Sequence, residues 1–145
     1  MSVLRWGVGD IIAISQLAIK VYAAYKDAPN NYQHISEEVM SLQIIIEKAI
    51  QHFESPTLSN NDRQLGQKVL KGCQSVLEDL NFLIEKYSNL TSANVFKKVQ
   101  LGAEDIANLR ARLISNTSLL NGFIQRFNIS TLNVKHIMLM PLCQL

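Results

Sequence analysis

Between positions 32 and 53 the apolar residues recur in steps of three and four: Tyr32, Ile35, Val39, Leu42, Ile46, Ala49 and Phe53. That spacing matches the pitch of an α-helix and is sustained over about six turns. A helix with one long apolar stripe needs other elements to cover it. No stretch alternates with period two for long, and no hairpin turn separates apolar runs, so the covering elements are expected to be helices too.

Three further segments have the same character. The first runs from Asp10 to Lys26, with Ile11, Ile14, Ala18, Val21, Tyr22 and Tyr25 on one stripe and Ile12, Leu17 and Ile19 widening it. Asp10 is a suitable N-cap, and Pro29 ends the segment by steering Ala28 away from helical angles. The second segment opens at Asn30 or Asn31, and Asn30 with Gln33 resembles a capping box; Glu54-Ser55-Pro56 closes it ahead of a polar loop at 57–61. The third places Leu65, Val69, Cys73, Val76, Leu80, Leu83 and Tyr87 on its stripe. Gly66 and Gly72 in its interior cost about 1 kcal/mol each against Ala, an expense consistent with close approach of a neighbouring helix. The fourth, Val95 to Phe127, carries Val99, Ile106, Leu113, Leu120 and Phe127 every seven residues, with Ala103, Leu109, Thr117 and Ile124 between them; Gly102 is a candidate bend. Beyond Asn128 the pattern stops, and Ile137 to Leu145 is apolar without period. The expected architecture is an all-α antiparallel bundle of four main helices, with one domain at 1–130 and a poorly defined tail at 131–145.

Composition narrows function mainly by exclusion. The chain has 145 residues, 48% hydrophobic and 18% charged, enough for a real core. A net charge of +2, without a dense basic run, gives no footing for nucleic acid. From Phe96 onward Lys97, Lys98, Arg110, Arg112, Arg126 and Lys135 face only Glu104 and Asp105, which fits either a solvated helix face or attraction to anionic lipid. Cys73 and Cys143 form no disulfide framework; Cys73 reads as a small core residue and a reducing compartment fits. The sequons at Asn89, Asn116 and Asn128 are expected as chance matches in a chain rich in Asn and Ser. Asp10 and Lys20 bracket only nine uncharged residues, short for a signal sequence or a constitutive span.

No reaction chemistry converges. His34, His52 and His136 stand far apart without ligands at metal-site spacing. No G-x-S-x-G is present, and Gly7-Val8-Gly9 follows no strand and lacks the remainder of a phosphate loop. Glu37-Glu38 and Glu104-Asp105 are sequence neighbours, which point about 100° apart on a helix and share no acid–base task. We therefore expect no enzyme, no cofactor, no metal and no small-molecule substrate. What stands out is the first segment: it is more apolar than one stripe requires and carries Trp6 and the Tyr22/Tyr25 pair near its ends. Aromatic ends suit a membrane interface; the same composition suits the most buried helix of a bundle.

The stretches Gly7-Val8-Gly9-Asp10-Ile11-Ile12-Ala13, Lys26-Asp27-Ala28-Pro29 and Glu37-Glu38-Val39 with Leu42 resemble the HeLo-like N-terminal domain of fungal STAND receptors, found ahead of NACHT, ankyrin or similar modules. Gly102-Ala103-Glu104-Asp105-Ile106, Leu109-Arg110-Ala111-Arg112-Leu113 and Leu120-Asn121 with Phe123 agree, so the resemblance covers residues 3 to 130. It implies a fungal signalling or programmed-cell-death effector of the heterokaryon-incompatibility type, cytoplasmic at rest and at the plasma membrane on activation. Clustering would release the N-terminal helix into lipid. Trp6, Val8, Ile11, Ile12, Ile14 and Leu17 would then be the membrane-seeking residues, Asp27, Ala28 and Pro29 the hinge, and Glu104, Asp105, Arg110 and Arg112 a polar surface or inter-helix network. Expected partners are other proteins or further copies of the chain, with an anionic membrane as a further candidate. The alternative is a protein–protein adaptor that never meets lipid. On the membrane alternative, Ile11→Asp with Leu17→Asp is expected to abolish liposome leakage and leave a folded bundle.

Overall fold

Helix α1 (Val8–Lys26) begins two residues before the expected cap. Gly7 is the N-cap, and Asp10 is the third helical residue, its carboxylate accepting the Gly7 N–H at 2.7 Å. An acidic residue serves at either place, because both satisfy exposed first-turn amides and complement the positive end of the helix dipole. The computed structural model describes residues 6–27, 30–88 and 106–126. The expected fourth-segment residues 95–105, Phe127 and the 131–145 tail lie outside them.

Helix α2 (Asn30–Glu54) buries its stripe as the spacing predicts: Ile35, Val39, Leu42, Ile46, Ala49 and Phe53 are all buried and Tyr32 is partly so. Asn30 is its first helical residue, not its cap, and the residue before it lies outside the described residues. The chain then reverses over 55–59, where Leu58 is tucked into the core. Ser59 starts helix α3 (Asn60–Ser88), its hydroxyl accepting the Asp62 N–H at 3.1 Å; the helix thus reaches into what the sequence reads as loop.

In α3 the expected Cys73, Val76, Leu80 and Leu83 are buried, and the stripe departs from the expected one at its N-terminal end. Leu70 and Leu77 are fully buried while Leu65 is 42% exposed and Val69 only partly covered. The cause is Gly66. A Cβ there would meet the rings of Phe53 and Phe123 at 2.6 Å, so the stripe passes through the glycine, and Leu65, about 100° around, turns outward. Gly72 likewise faces Asn116, at 2.5 Å from a Cβ position. Both glycines mark close approach of α3 to α4, the helix at residues 106–126. Ile106, Leu109, Leu113, Leu120, Phe123 and Ile124 line its buried side. Thr117 is half-buried and its hydroxyl donates to the Leu113 carbonyl at 2.7 Å.

The described residues hold four helices and no strand, and their buried side chains form one core. Consecutive helices run antiparallel. Trp6, ahead of α1, meets Phe53 near the end of α2 edge-on at 6.4 Å, and Tyr25 near the end of α1 meets Tyr32 at the start of α2. Phe123 packs on Phe53 at 6.3 Å, while Arg112 reaches Asp79 further along α3. Helix α1 packs along both α2 and α3, which themselves scarcely approach each other. Helix α4 also contacts both. The α2–α3 pair is therefore bridged twice, by α1 and by α4.

Candidate functional site

The first helix has two apolar sides. Its inner side presents Ile11, Ile14, Ala18, Val21 and Tyr25, each 3% exposed or less. Its outer side shows Ile12 at 42% and Ile19 at 48%, alongside exposed Ala13 and Ala23. Of the six residues expected to seek lipid, Ile11 and Ile14 belong to the inner side, Ile12 to the outer, and Trp6, Val8 and Leu17 are half-buried against the core edge. Among the described residues this is the one helix long and apolar enough to cross a membrane by length and composition, 19 residues with mean hydropathy 1.3. At 1.5 Å per residue such a helix is about 29 Å long, close to a bilayer's hydrocarbon thickness.

Two buried hydrogen bonds tie α1 down. The Tyr25 hydroxyl donates to the Leu80 carbonyl of α3 at 2.8 Å, and the Gln43 amide of α2 donates to the Ser15 hydroxyl at 3.2 Å. The ion pair Lys20–Glu85, at 3.8 Å with both side chains mostly in water, adds little. Asp27 forms the exposed turn after α1, its N–H bonded to the Tyr25 carbonyl; Ala28 and Pro29, the rest of the expected hinge, lie outside the described residues.

The arginines of α4 serve as inter-helix fasteners. Arg110 pairs with Glu38 of α2 at 2.7 Å. Arg112 pairs with Asp79 of α3 at 2.7 Å and donates to Ser75 at 3.2 Å, and Arg126 pairs with Asp62 at 3.5 Å. These cations are matched by carboxylates within the fold and do not make a free basic face toward lipid. Glu104 and Asp105 lie outside the described residues.

The reactive groups are quiet. Burial pushes the Cys73 thiol up to about 12, so it stays protonated and cannot serve as a thiolate nucleophile; its Sγ faces the Asn116 carbonyl at 3.8 Å. Burial also lowers the pKa of His52, favouring its neutral form. Asn116, one of the sequon asparagines, is half-buried with its amide donating to the Arg112 carbonyl at 2.8 Å. Among the described residues no three His, Cys, Asp or Glu converge as a metal site. An open cleft of about 290 Å³ between α3 and α4 has Phe82, Leu83 and Leu109 beside Asp79, Lys86 and Arg112, and Asp79 there is engaged by Arg112.

Sequence reasoning missed Ser15, Gln43, Glu38 and Asp79. The first two left a trace: each is a polar residue inside an otherwise apolar run, at a phase that faces a neighbour. The two carboxylates left none. Compared with protein-family models, curated proteins and solved structures, the chain gives no match.

Proposed function

We propose that this chain is a non-enzymatic signalling effector, of the HeLo-like cell-death type it resembles, in which clustering of copies delivers the first helix to an anionic membrane. One observation carries the reading: α1 is apolar on the side it buries and again, at Ile12 and Ile19, on the side it shows to water. Helix α3 also shows Leu65 and Phe82 to water, but sets them among the exposed Gln64, Lys68, Lys71, Glu78 and Glu85, so its outward side is mostly charged. Lys20 and Lys26 on the exposed side of α1 would favour an anionic surface.

Energetics put a condition on release. Exposing Ile11, Ile14, Val21 and Tyr25 to water costs on the order of 6–12 kcal/mol, comparable to the whole stability of a domain. The helix therefore leaves only when lipid or neighbouring copies receive it at once. Ile11→Asp is unsuited to test this, because Ile11 is fully buried and a carboxylate there unfolds the bundle. Ile12→Asp with Ile19→Asp is the discriminating pair. The wild-type chain is expected to release dye from phosphatidylserine-containing liposomes, and the double variant to melt like wild type yet release none. Dye release by the folded double variant sinks the proposal.

A second reading draws on the inner side of α1 and on its place between α2 and α3. If α1 never leaves, Ile12 and Ile19 form part of a protein contact surface and the chain is an adaptor. Wild type then releases no dye from any vesicle, and the same double variant loses self-association or partner binding instead.

A further inference from the structure

The buried Tyr25–Leu80 and Gln43–Ser15 hydrogen bonds of α1 each end on a group with another partner in the body of the bundle. Leu80 lies well inside α3, so its carbonyl also belongs to that helix's own ladder. Gln43 also donates to Glu47, one turn along α2, at 2.6 Å. The α1 ends of the bonds have fallbacks too. Ser15 has the Ile11 carbonyl one turn behind it, a bond a helical serine readily makes. Tyr25 is in the last turn, where a phenol reaches water or a lipid headgroup. In most buried hydrogen bonds rupture strands a donor or an acceptor, and that penalty exceeds the value of the bond itself. Here rupture strands nothing. Yet Ser15, Gln43 and Tyr25 are each 7% exposed or less, so while closed the bonds are sheltered from competing water.

We propose that the Tyr25–Leu80 and Gln43–Ser15 hydrogen bonds are a releasable latch that keeps α1 closed until another surface receives it. The proposal rests on the reading that α1 departs from the bundle, and it adds which contacts set the threshold. Tyr25→Phe removes one hydroxyl and keeps the ring in place; Ser15→Ala removes the other bond and leaves Gln43 with Glu47.

The test is hydrogen exchange resolved by helix, without lipid, followed by dye release from phosphatidylserine vesicles. Each variant is expected to exchange α1 amides about five- to tenfold faster than wild type, as the loss of one net hydrogen bond requires, with amides of α2 to α4 changed by less than about twofold. Leu113→Ala, a core truncation in α4, is the control and speeds all helices alike. Unchanged exchange, or uniform acceleration in both variants, overturns the latch. Dye release at lower protein concentration than wild type completes the case. Selective α1 exchange with no release from any form keeps the latch and removes the membrane reading. Release by wild type, with both variants unchanged in exchange and release, removes the latch and keeps the membrane reading.

Discussion

Helices α1 and α4 occupy equivalent positions, each bridging α2 and α3, but different chemistry holds them. Helix α4 is fastened by three arginine–carboxylate pairs and by aromatic and amide side chains seated against Gly66 and Gly72. Among the described residues α1 is held by apolar burial, by the Tyr25–Leu80 and Gln43–Ser15 hydrogen bonds between neutral groups, and by the long exposed Lys20–Glu85 pair. Pulling α4 away would separate matched charges and carry arginines with it, which a hydrocarbon environment strongly resists. Among the described residues, pulling α1 away separates the solvent-exposed Lys20–Glu85 pair. Among the described residues α1 is the one helix long and apolar enough to cross a membrane by length and composition, and on the proposed reading it is the helix that departs.

The comparison breaks most visibly at adjacent positions of α1. Ile11→Asp is expected to abolish cooperative melting, a loss exceeding about 4 kcal/mol for an unpaired carboxylate at a buried position. Ile12→Asp, one residue on, should shift stability by no more than about 0.5 kcal/mol. Thermal melts of the two single variants check this, and equal losses would mean that α1 has no distinct outer side.

A smaller effect sharpens the α4 half. Gly66→Ala forces two rings to move and should destabilise by about 1–3 kcal/mol despite better helix propensity. Gly72→Ala displaces only the movable end of Asn116 and should be within about 1 kcal/mol of neutral. Urea titration of both variants separates a rigid aromatic seat from a yielding one.

The smallest effect concerns salt. Arg112→Gln with Arg126→Gln, whose guanidinium groups lie largely in water, should cost no more than about 1 kcal/mol per pair, and the difference from wild type should shrink in 1 M NaCl as the charges are screened. Ser15→Ala should show no such salt dependence. Melting curves at low and high salt decide it, and a salt-insensitive arginine double variant would mean that the pairs contribute no net attraction.

How much of this was legible follows from the distance over which each decision is made. The α2 stripe was readable in full, because its burial follows the local period. The start of the α3 stripe was not, since a glycine scores as no hydrophobe although Gly66 is tightly faced by the Phe53 and Phe123 rings. In α1 the inner stripe of Ile11, Ile14, Ala18, Val21 and Tyr25 is legible from the helical period as well, with Ile12 and Ile19 set apart from it; the lipid-seeking set mixes Ile11 with Ile12 because the resemblance, not the spacing, supplies it. Arg110 and Glu38 are 72 residues apart, Tyr25 and Leu80 55. Pairings of that reach have no local signature.

Because α2 and α3 barely meet, the departure of α1 would leave an oily furrow as long as a helix, with a mould of Ile11, Ile14, Ala18 and Val21 on its walls. The furrow accepts one helix of that shape, and every other copy of the chain carries one. Exchange of identical helices between opened copies would refill each furrow one for one and join the chains without any newly evolved interface.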